Sequence, residues 1–361
     1  MAWSRAELAS VTYDDEVETA HPAIPLAWSS GAPAWQRRVW TLPLFFVAAG
    51  VFWAIGPATL LGAVLADLVR PRRFARTRLW AVAGTYLTAE VVGVVALTSV
   101  WIATGCGAFV DARRRATFVV QSYWVATLFR CATWIYGWTW QVEGARAAVP
   151  GPVIVMIRHT SLLDTMIPTT LVTRRLGIKL RFVLKQELLR DPCLDLAGNW
   201  LPNVFVDREA SDSTEGRDKI RALARHMGPD EGALIYPEGT LFSPRKLAAA
   251  QHRLAESGSP WADAAAALRH TLPPRPGGTL ALLEGAPEAD VVICAHAGLG
   301  GLGKVADLTS GTLVGRTIAV RLQRFARADI PTDPDGATRW IFERWAEVDA
   351  WVGARDSDSA A

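Results

Sequence analysis

The sequence predicts an α/β domain with a mainly parallel sheet flanked by helices, preceded by N-terminal transmembrane or re-entrant helices. Three observations carry this. Two long stretches before residue 111 hold almost no charge, short apolar runs alternate with helical stretches from Val153 onward, and unusual polar residues recur where those runs end. An apolar share of 50% over 361 residues agrees with a chain that is partly membrane-embedded and partly folded in water.

Residues 1–36 are polar and include the acidic cluster Asp14 to Glu18, so they read as a loose tail and not as a basic signal-peptide start. Val39 to Leu65 then runs 27 residues without a charge, and Leu79 to Val110 runs 32 residues interrupted only by Glu90. Each is long enough to cross a bilayer. Arginines border both: Arg37 and Arg38, then Arg70, Arg72, Arg73, Arg76 and Arg78, then Arg113, Arg114 and Arg115. Because cytoplasmic loops are the basic ones, two straight crossings would strand the middle cluster on the opposite face. Hairpins bent near Gly56–Pro57 and Gly105–Gly107 would keep all three together, and the sequence leaves both arrangements open.

The next run, Phe118 to Trp140, carries eight aromatics and the single charge Arg130, which suits the lipid–water boundary. An interfacial helix is expected there, with a core helix of the following domain as the alternative. Net charge is only +3 and the arginine clusters flank membrane segments, so no nucleic-acid partner is implied. Cys106, Cys131, Cys193 and Cys294 form no metal or disulfide spacing, and no metal site is expected. Only 5 of the 38 basic residues are lysine, which points to a GC-rich bacterial genome and hence a plasma membrane.

Val153 to Ile157 reads as a buried strand that runs directly into RHTSLLD. Five residues on a helix turn the chain by about 500°, leaving side chains roughly 140° apart. His159 and Asp164 therefore meet only if the histidine lies outside the helix. Thr160 and Ser161 are capping residues for a helix over about Leu162 to Leu176 whose first turn carries Asp164. A carboxylate beside an imidazole fixes its tautomer and favours its cation, which makes His159 a positioned general base. A second strand is expected at Lys179 to Leu184, followed by a short helix stopped near Pro192, and a third at Asn203 to Val206. A helix over roughly Asp218 to Met227 and a fourth strand at Ala233 to Tyr236 complete the alternation. Lys185, Arg208, Glu238 and Gly239 thus sit at strand exits, the edge where ligands collect in parallel sheets. Surface pairing of Lys185 and Arg208 with Asp207, Glu187 or Asp191, and helix capping by Glu238, are the plain structural alternatives.

These blocks, HTSLLD at 159, KQEL at 185, NVFVDR at 203 and YPEGT at 236, resemble in order and spacing the PlsC-type glycerophosphate and lysophospholipid acyltransferases over roughly Val142 to Ala297. LRHTLPPRPGG, Leu268 to Gly278, is similar to a stretch in the eukaryotic-type branch. The resemblance implies the glycerolipid acyltransferase fold, with an acyltransferase domain at 117–335 that includes the interfacial helix at about 118–140. Membrane segments at about 39–68 and 79–110 fill 37–116, and a C-terminal amphipathic helix and tail occupy 336–361, where Ile341, Trp345, Val348 and Val352 fall at helical spacing.

The implied reaction moves a fatty acyl group from acyl-CoA or acyl carrier protein to a lysophospholipid hydroxyl, with no other cofactor. The acceptor is 1-acylglycerol-3-phosphate or, alternatively, a phosphodiester lysolipid. Membrane lipids are the remaining partners, and the catalytic domain faces the cytoplasm. His159 and Asp164 are the implied catalytic pair, and Lys185, Arg208, Glu238, Gly239 and Thr240 the substrate- and phosphate-binding set. Backbone N–H groups at 160–162, or at Gly239 and Thr240, are the oxyanion candidates, with Ser161, Arg245 and Lys246 as auxiliaries.

The chain departs from the family pattern at Arg158, where asparagine is usual, and at Leu241, where arginine helps hold the acceptor phosphate. VVICAHAG at 291–298 lacks the usual proline, and His296 within it reads as structural. A Ser–His–Asp hydrolase is disfavoured because no G-x-S-x-G elbow occurs and Ser161 lies only two residues from His159. An inactive lipid-binding relative is the alternative from another class.

Overall fold

The computed structural model describes residues 33–70, 72–161, 163–206, 213–300 and 309–358. The polar tail before residue 33 and Arg208 lie outside the described residues. Seven strands are described: β1 Thr139–Glu143, β2 Val153–Ile157, β3 Lys179–Lys185, β4 Val204–Val206, β5 Glu231–Ile235, β6 Asp290–Ala297 and β7 Thr317–Phe325, in the sheet order β1-β7-β6-β2-β5-β3-β4. Every neighbouring pair is parallel except β6 with β7. β2 sits in the middle with both faces covered, and such a strand needs an unbroken apolar run, which VIVMI supplies. Its odd positions, Val153, Val155 and Ile157, join one core layer with Trp138, Trp140 and Leu322. Its even positions, Ile154 and Met156, join another with Ile341, Trp345, Val348 and Val352 of the C-terminal helix Pro334–Asp358.

Strands β2 to β5 match the sequence-based expectation within a residue or two. β1, β6 and β7 were not anticipated, and β1 corrects the aromatic segment. Helix α4 follows α1 Ala34–Ala54, α2 Gly56–Val69 and α3 Ala75–Ala103; it spans Val110–Tyr136 and ends on Gly137 at φ +69°. Trp138 and Trp140 therefore belong to the sheet region and are buried, whereas Tyr123 and Trp134 are exposed. α4 is a core helix on one face and a bare aromatic one on the other.

The single helix expected from Leu162 is a chain of short 3-10, α and π turns over 163–176. Pro192 does not merely stop a helix but opens another, Pro192–Trp200, capped by Asp191, whose carboxylate accepts from Leu194 N at 2.9 Å. A proline fits a first helical position because the N–H it lacks has no partner there. The helix expected at 218–227 is Thr214–Ala224, started by the Ser213 cap. Three more, Pro244–Glu256, Ala262–Ala267 and Pro276–Gly285, were not anticipated.

α1 and α2 meet at a 64° bend at Ile55, next to Pro57. α3 is long and apolar enough to cross a membrane by length and composition, as is the bent pair if taken as one span. α3 does not stand away from the sheet domain but is touched by it along most of its length. Arg73 donates to Val314 O at 2.9 Å, Arg78 donates to Ile135 O, Tyr86 OH donates to Asp191 Oδ2 at 2.7 Å, and Glu90 accepts from Cys193 N at 3.2 Å. Val94 and Leu97 continue the contact against Leu196 and Ala197. The lone charge of that apolar stretch is thus met by the N–H-rich start of the Pro192–Trp200 helix, a favourable place for a carboxylate. Arg37 and Arg38 both pair with the buried Asp195, at 2.8 and 2.9 Å, and Arg113 lies over the Trp200 ring at 5.4 Å. All three arginine clusters therefore reach the sheet domain.

Arg181 fixes the strand that leads to Lys185. Its guanidinium is buried, donates to Leu223 O and Arg225 O at 2.9 Å, and pairs with Glu231 at 2.7 Å. Arg181→Met removes the buried cation that pairs with Glu231 and the donor to the carbonyls of Leu223, Arg225 and His226, and unfolding in detergent is expected to lose about 3–5 kcal/mol. An unchanged denaturation midpoint would refute that bracing role.

Candidate active site

The parallel strands end on one edge, and there the loop after β2 meets the loop after β5. His159 Nδ1 lies 3.0 Å from Asp164 Oδ1. The other carboxylate oxygen, Oδ2, accepts from Thr160 N at 2.6 Å and Ser161 N at 2.7 Å, so one buried carboxylate folds its own loop and holds the imidazole. The Ser161 hydroxyl accepts from Leu163 N and Asp164 N at 3.2 and 3.3 Å, capping the first turn. With its oxygen committed and the residue fully buried, Ser161 is a cap and not a nucleophile.

The imidazole is walled by the Tyr236 ring, centroids 4.3 Å apart. His159 O accepts from Phe242 N at 2.8 Å, which pins the segment after YPEGT to the histidine. Pairing Nδ1–H with the carboxylate leaves Nε2 as the free basic atom. A dyad of this geometry can take up a proton at Nε2 with a carboxylate held beside the ring.

Glu238 departs from the substrate-binding place expected of it. It is buried, and its two oxygens accept from His159 N at 3.2 Å and Leu272 N at 3.3 Å. Burial pushes its carboxyl up to about 8, against the pull of Arg158. It is a positioning residue behind the histidine.

Arg158, the departure from the usual asparagine, is buried and donates to His296 O at 2.9 Å and His270 O at 2.8 Å. His296 Nε2 lies 2.8 Å from Arg158 O and 3.6 Å from Asp164 Oδ2, and burial lowers its pKa to about 4 despite that carboxylate. Neutral and hydrogen-bonded to the backbone, it serves as scaffold, as its sequence context suggests. Sequence reasoning missed Arg158 as a brace; its only signal was a long cation directly after a buried strand.

The rest of the expected set is more dispersed. Lys185 is exposed and pairs with Glu187 at 2.7 Å, the plain surface pair foreseen as its alternative. Gly239 sits at φ +65°, its N–H donating to Tyr236 O at 2.9 Å, and an added Cβ would lie 3.3 Å from Arg275 Cδ. Its N–H, like those of Thr160 and Ser161, is therefore not free for an oxyanion. Thr240 N makes no hydrogen bond to a described residue. Lys246 Nζ donates to Thr240 Oγ1 at 3.0 Å and Leu241 O at 2.9 Å, and Arg245 is exposed beside it at the start of the Pro244–Glu256 helix. Among the described residues no group of three or more His, Cys, Asp or Glu could hold a metal ion.

The family model described as acyltransferase matches residues 140–259, which span β1 to β5 and the His159–Asp164 pair. This segment is an acyltransferase domain. No curated protein matches the chain. Among solved structures, the 1-acyl-sn-glycerophosphate (LPA) acyltransferase PlsC from Thermotoga maritima is similar at 14% identity, over 73% of this chain and 96% of that one, with a TM-score of 0.42. Within the acyltransferase domain the sheet is mainly parallel, and its dyad occupies the edge where substrates of such sheets are met.

Glu238 also makes a pH dependence. With a folded value of about 8 above the ordinary 4.5, the native state holds the extra proton across that interval. Its contribution to stability is therefore complete at low pH and falls as pH rises between those values. The melting temperature of the wild type should drop relative to Glu238→Gln from about pH 5 to about pH 8. A constant difference would show that the carboxyl stays ionised.

Proposed function

We propose that this chain is a membrane-associated O-acyltransferase that moves a fatty acyl group from an acyl-CoA or acyl carrier protein thioester to the free hydroxyl of a lysophospholipid, with 1-acylglycerol-3-phosphate as the acceptor. The observation that carries the proposal is the His159–Asp164 pair, 3.0 Å apart at the carboxyl edge of the sheet within an acyltransferase domain. His159 Nε2 takes the acceptor's hydroxyl proton as the oxygen attacks the thioester carbon. Asp164 steadies the imidazolium. The tetrahedral intermediate expels the thiolate, an easy leaving group, which recovers the proton from His159 to leave ester and thiol. Of the backbone donors expected for the oxyanion, Thr240 N is the described one not already given to another group, which favours it over the 160–161 pair.

A phosphate on the acceptor calls for cations near the dyad. Arg245 and Lys246 follow Leu241 at a helix start and are the candidates to replace the arginine that relatives carry there, with Lys185 at the end of β3, and Arg208 outside the described residues, as further candidates. The four sequence blocks at 159, 185, 203 and 236, shared with acyltransferases of lysophospholipids, support this class of acceptor.

A membrane location is supported by the apolar surfaces of α1 to α3, where Trp40, Leu44, Val47, Leu61, Leu65 and Val95 are exposed. Since all three arginine clusters reach the sheet domain, hairpins that enter and leave on that same side fit better than two straight crossings. In a bacterium that side is the cytoplasmic face of the plasma membrane.

Membranes carrying the protein, given labelled acyl-CoA and a panel of lysolipids, should acylate 1-acylglycerol-3-phosphate most readily. His159→Ala should lower the rate about 10³-fold. Acyl release without an acceptor would select a hydrolase, and acyl-lipid binding without turnover an inactive relative; either would refute the transferase.

A further inference from the structure

The acyltransferase match ends at residue 259, yet the wall behind His159 is completed by a segment beyond it. The loop after Leu268 presents three successive N–H groups to one carboxylate. Asp349, on the C-terminal helix Pro334–Asp358, accepts from Arg269 N at 3.1 Å, His270 N at 2.6 Å and Thr271 N at 2.7 Å, and also from Thr271 Oγ1 at 2.9 Å. Consecutive N–H groups make an anion-binding concavity, and here the chain's own helix fills it. Asp349 is buried, so its bonds are charge-assisted and shielded from water.

The far side of the same loop meets the active site. His270 O accepts the Arg158 guanidinium at 2.8 Å, and Leu272 N donates to Glu238 Oε2 at 3.3 Å. Glu238 Oε1 accepts from His159 N at 3.2 Å. Two routes therefore run from the helix to the dyad loop, one through Arg158 and one through Glu238. Trp345 and Val352, one turn to either side of Asp349, are buried in the core layer under β2, so the helix cannot drift with the loop.

We propose that Asp349 is a positioning residue for the catalytic histidine: by gathering the N–H groups of residues 269–271, it sets the loop that holds Arg158 and Glu238 against His159. The claim rests on the acyltransferase reading for its kinetic consequence and on geometry alone for its structural one. A misplacement of the imidazole by about 1 Å costs about 10²-fold in turnover. Asp349→Ala should therefore lower kcat per folded molecule by about that factor with KM for either substrate little changed. Asp349→Asn keeps one acceptor oxygen and should recover part of the loss.

The deciding measurement is amide hydrogen exchange of the full-length protein in detergent, followed by mass spectrometry, for wild type, Asp349→Asn and Asp349→Ala. Positioning predicts faster exchange both at 269–272 and in the peptide carrying His159 to Asp164, graded from Asn to Ala. Faster exchange confined to 269–272, or wild-type kcat in Asp349→Ala, overturns the proposal. If Asp349→Ala does not fold, the comparison of wild type with Asp349→Asn decides it by the same two peptides. If the wild type has no acyltransferase activity, the functional reading fails while the exchange result still decides the coupling.

Discussion

The structure of the site depends on how one buried carboxylate divides its two oxygens. Asp164 gives Oδ1 to the imidazole and Oδ2 to the backbone N–H groups of Thr160 and Ser161. Neither role is possible without the other. Without the N–H groups, a fully buried ionised carboxylate would lack the hydrogen bonds that offset its desolvation. Without the tight loop they create, His159 would not be turned back over the helical stretch it precedes. The H-x4-D spacing is the length at which a chain leaving β2 can close that loop on the 3-10 turn Leu163–Thr165.

What was legible in the sequence depends on how local each determinant is. β2 declares itself because VIVMI needs no partner to look buried, and the His159–Asp164 pair because its separation excludes a regular helix. Trp138 and Trp140 misled because a tryptophan in a core and one at a lipid boundary are the same residue; β1 pairs with β7, some 178 positions later, and only that pairing buries them. Pro192 misled because proline is compatible with both an end and a start, and Asp191, the cap that decides between them, is informative only beside the helix it begins. Glu238 looked like a ligand for substrate because a strand-exit carboxylate usually faces the edge. Its donors, His159 N and Leu272 N, come from two distant segments that the sequence does not bring together.

The N-terminal helices show the same dependence on long-range pairing. Glu90 in an apolar stretch is a liability by composition, yet it lies where the first turn of another helix offers an N–H. Asp195, equally buried, is matched by two arginines near the start of α1. Each of these two carboxylates has a partner of opposite sign, or a helix start, across the contact. The helices and the sheet domain therefore hold each other by directional hydrogen bonds and ion pairs along an otherwise apolar contact, which specifies one docking arrangement where apolar packing alone would allow sliding.

Arg158 extends this argument to the site itself. An arginine beside His159 invites a role as a substrate cation, but its guanidinium is buried and donates to two backbone carbonyls from different parts of the chain. His296 O lies on β6 and His270 O in the loop that Asp349 gathers, so one side chain ties both to the residue before His159. Burial of Glu238 at the same depth sets a carboxyl that gains or loses its proton near neutral pH beside that arginine. When Glu238 is ionised it offsets Arg158, and when it is neutral the arginine's field is left to Asp164 alone. The arginine at position 158 thus joins Asp164 and Glu238 in fixing the loop that carries His159.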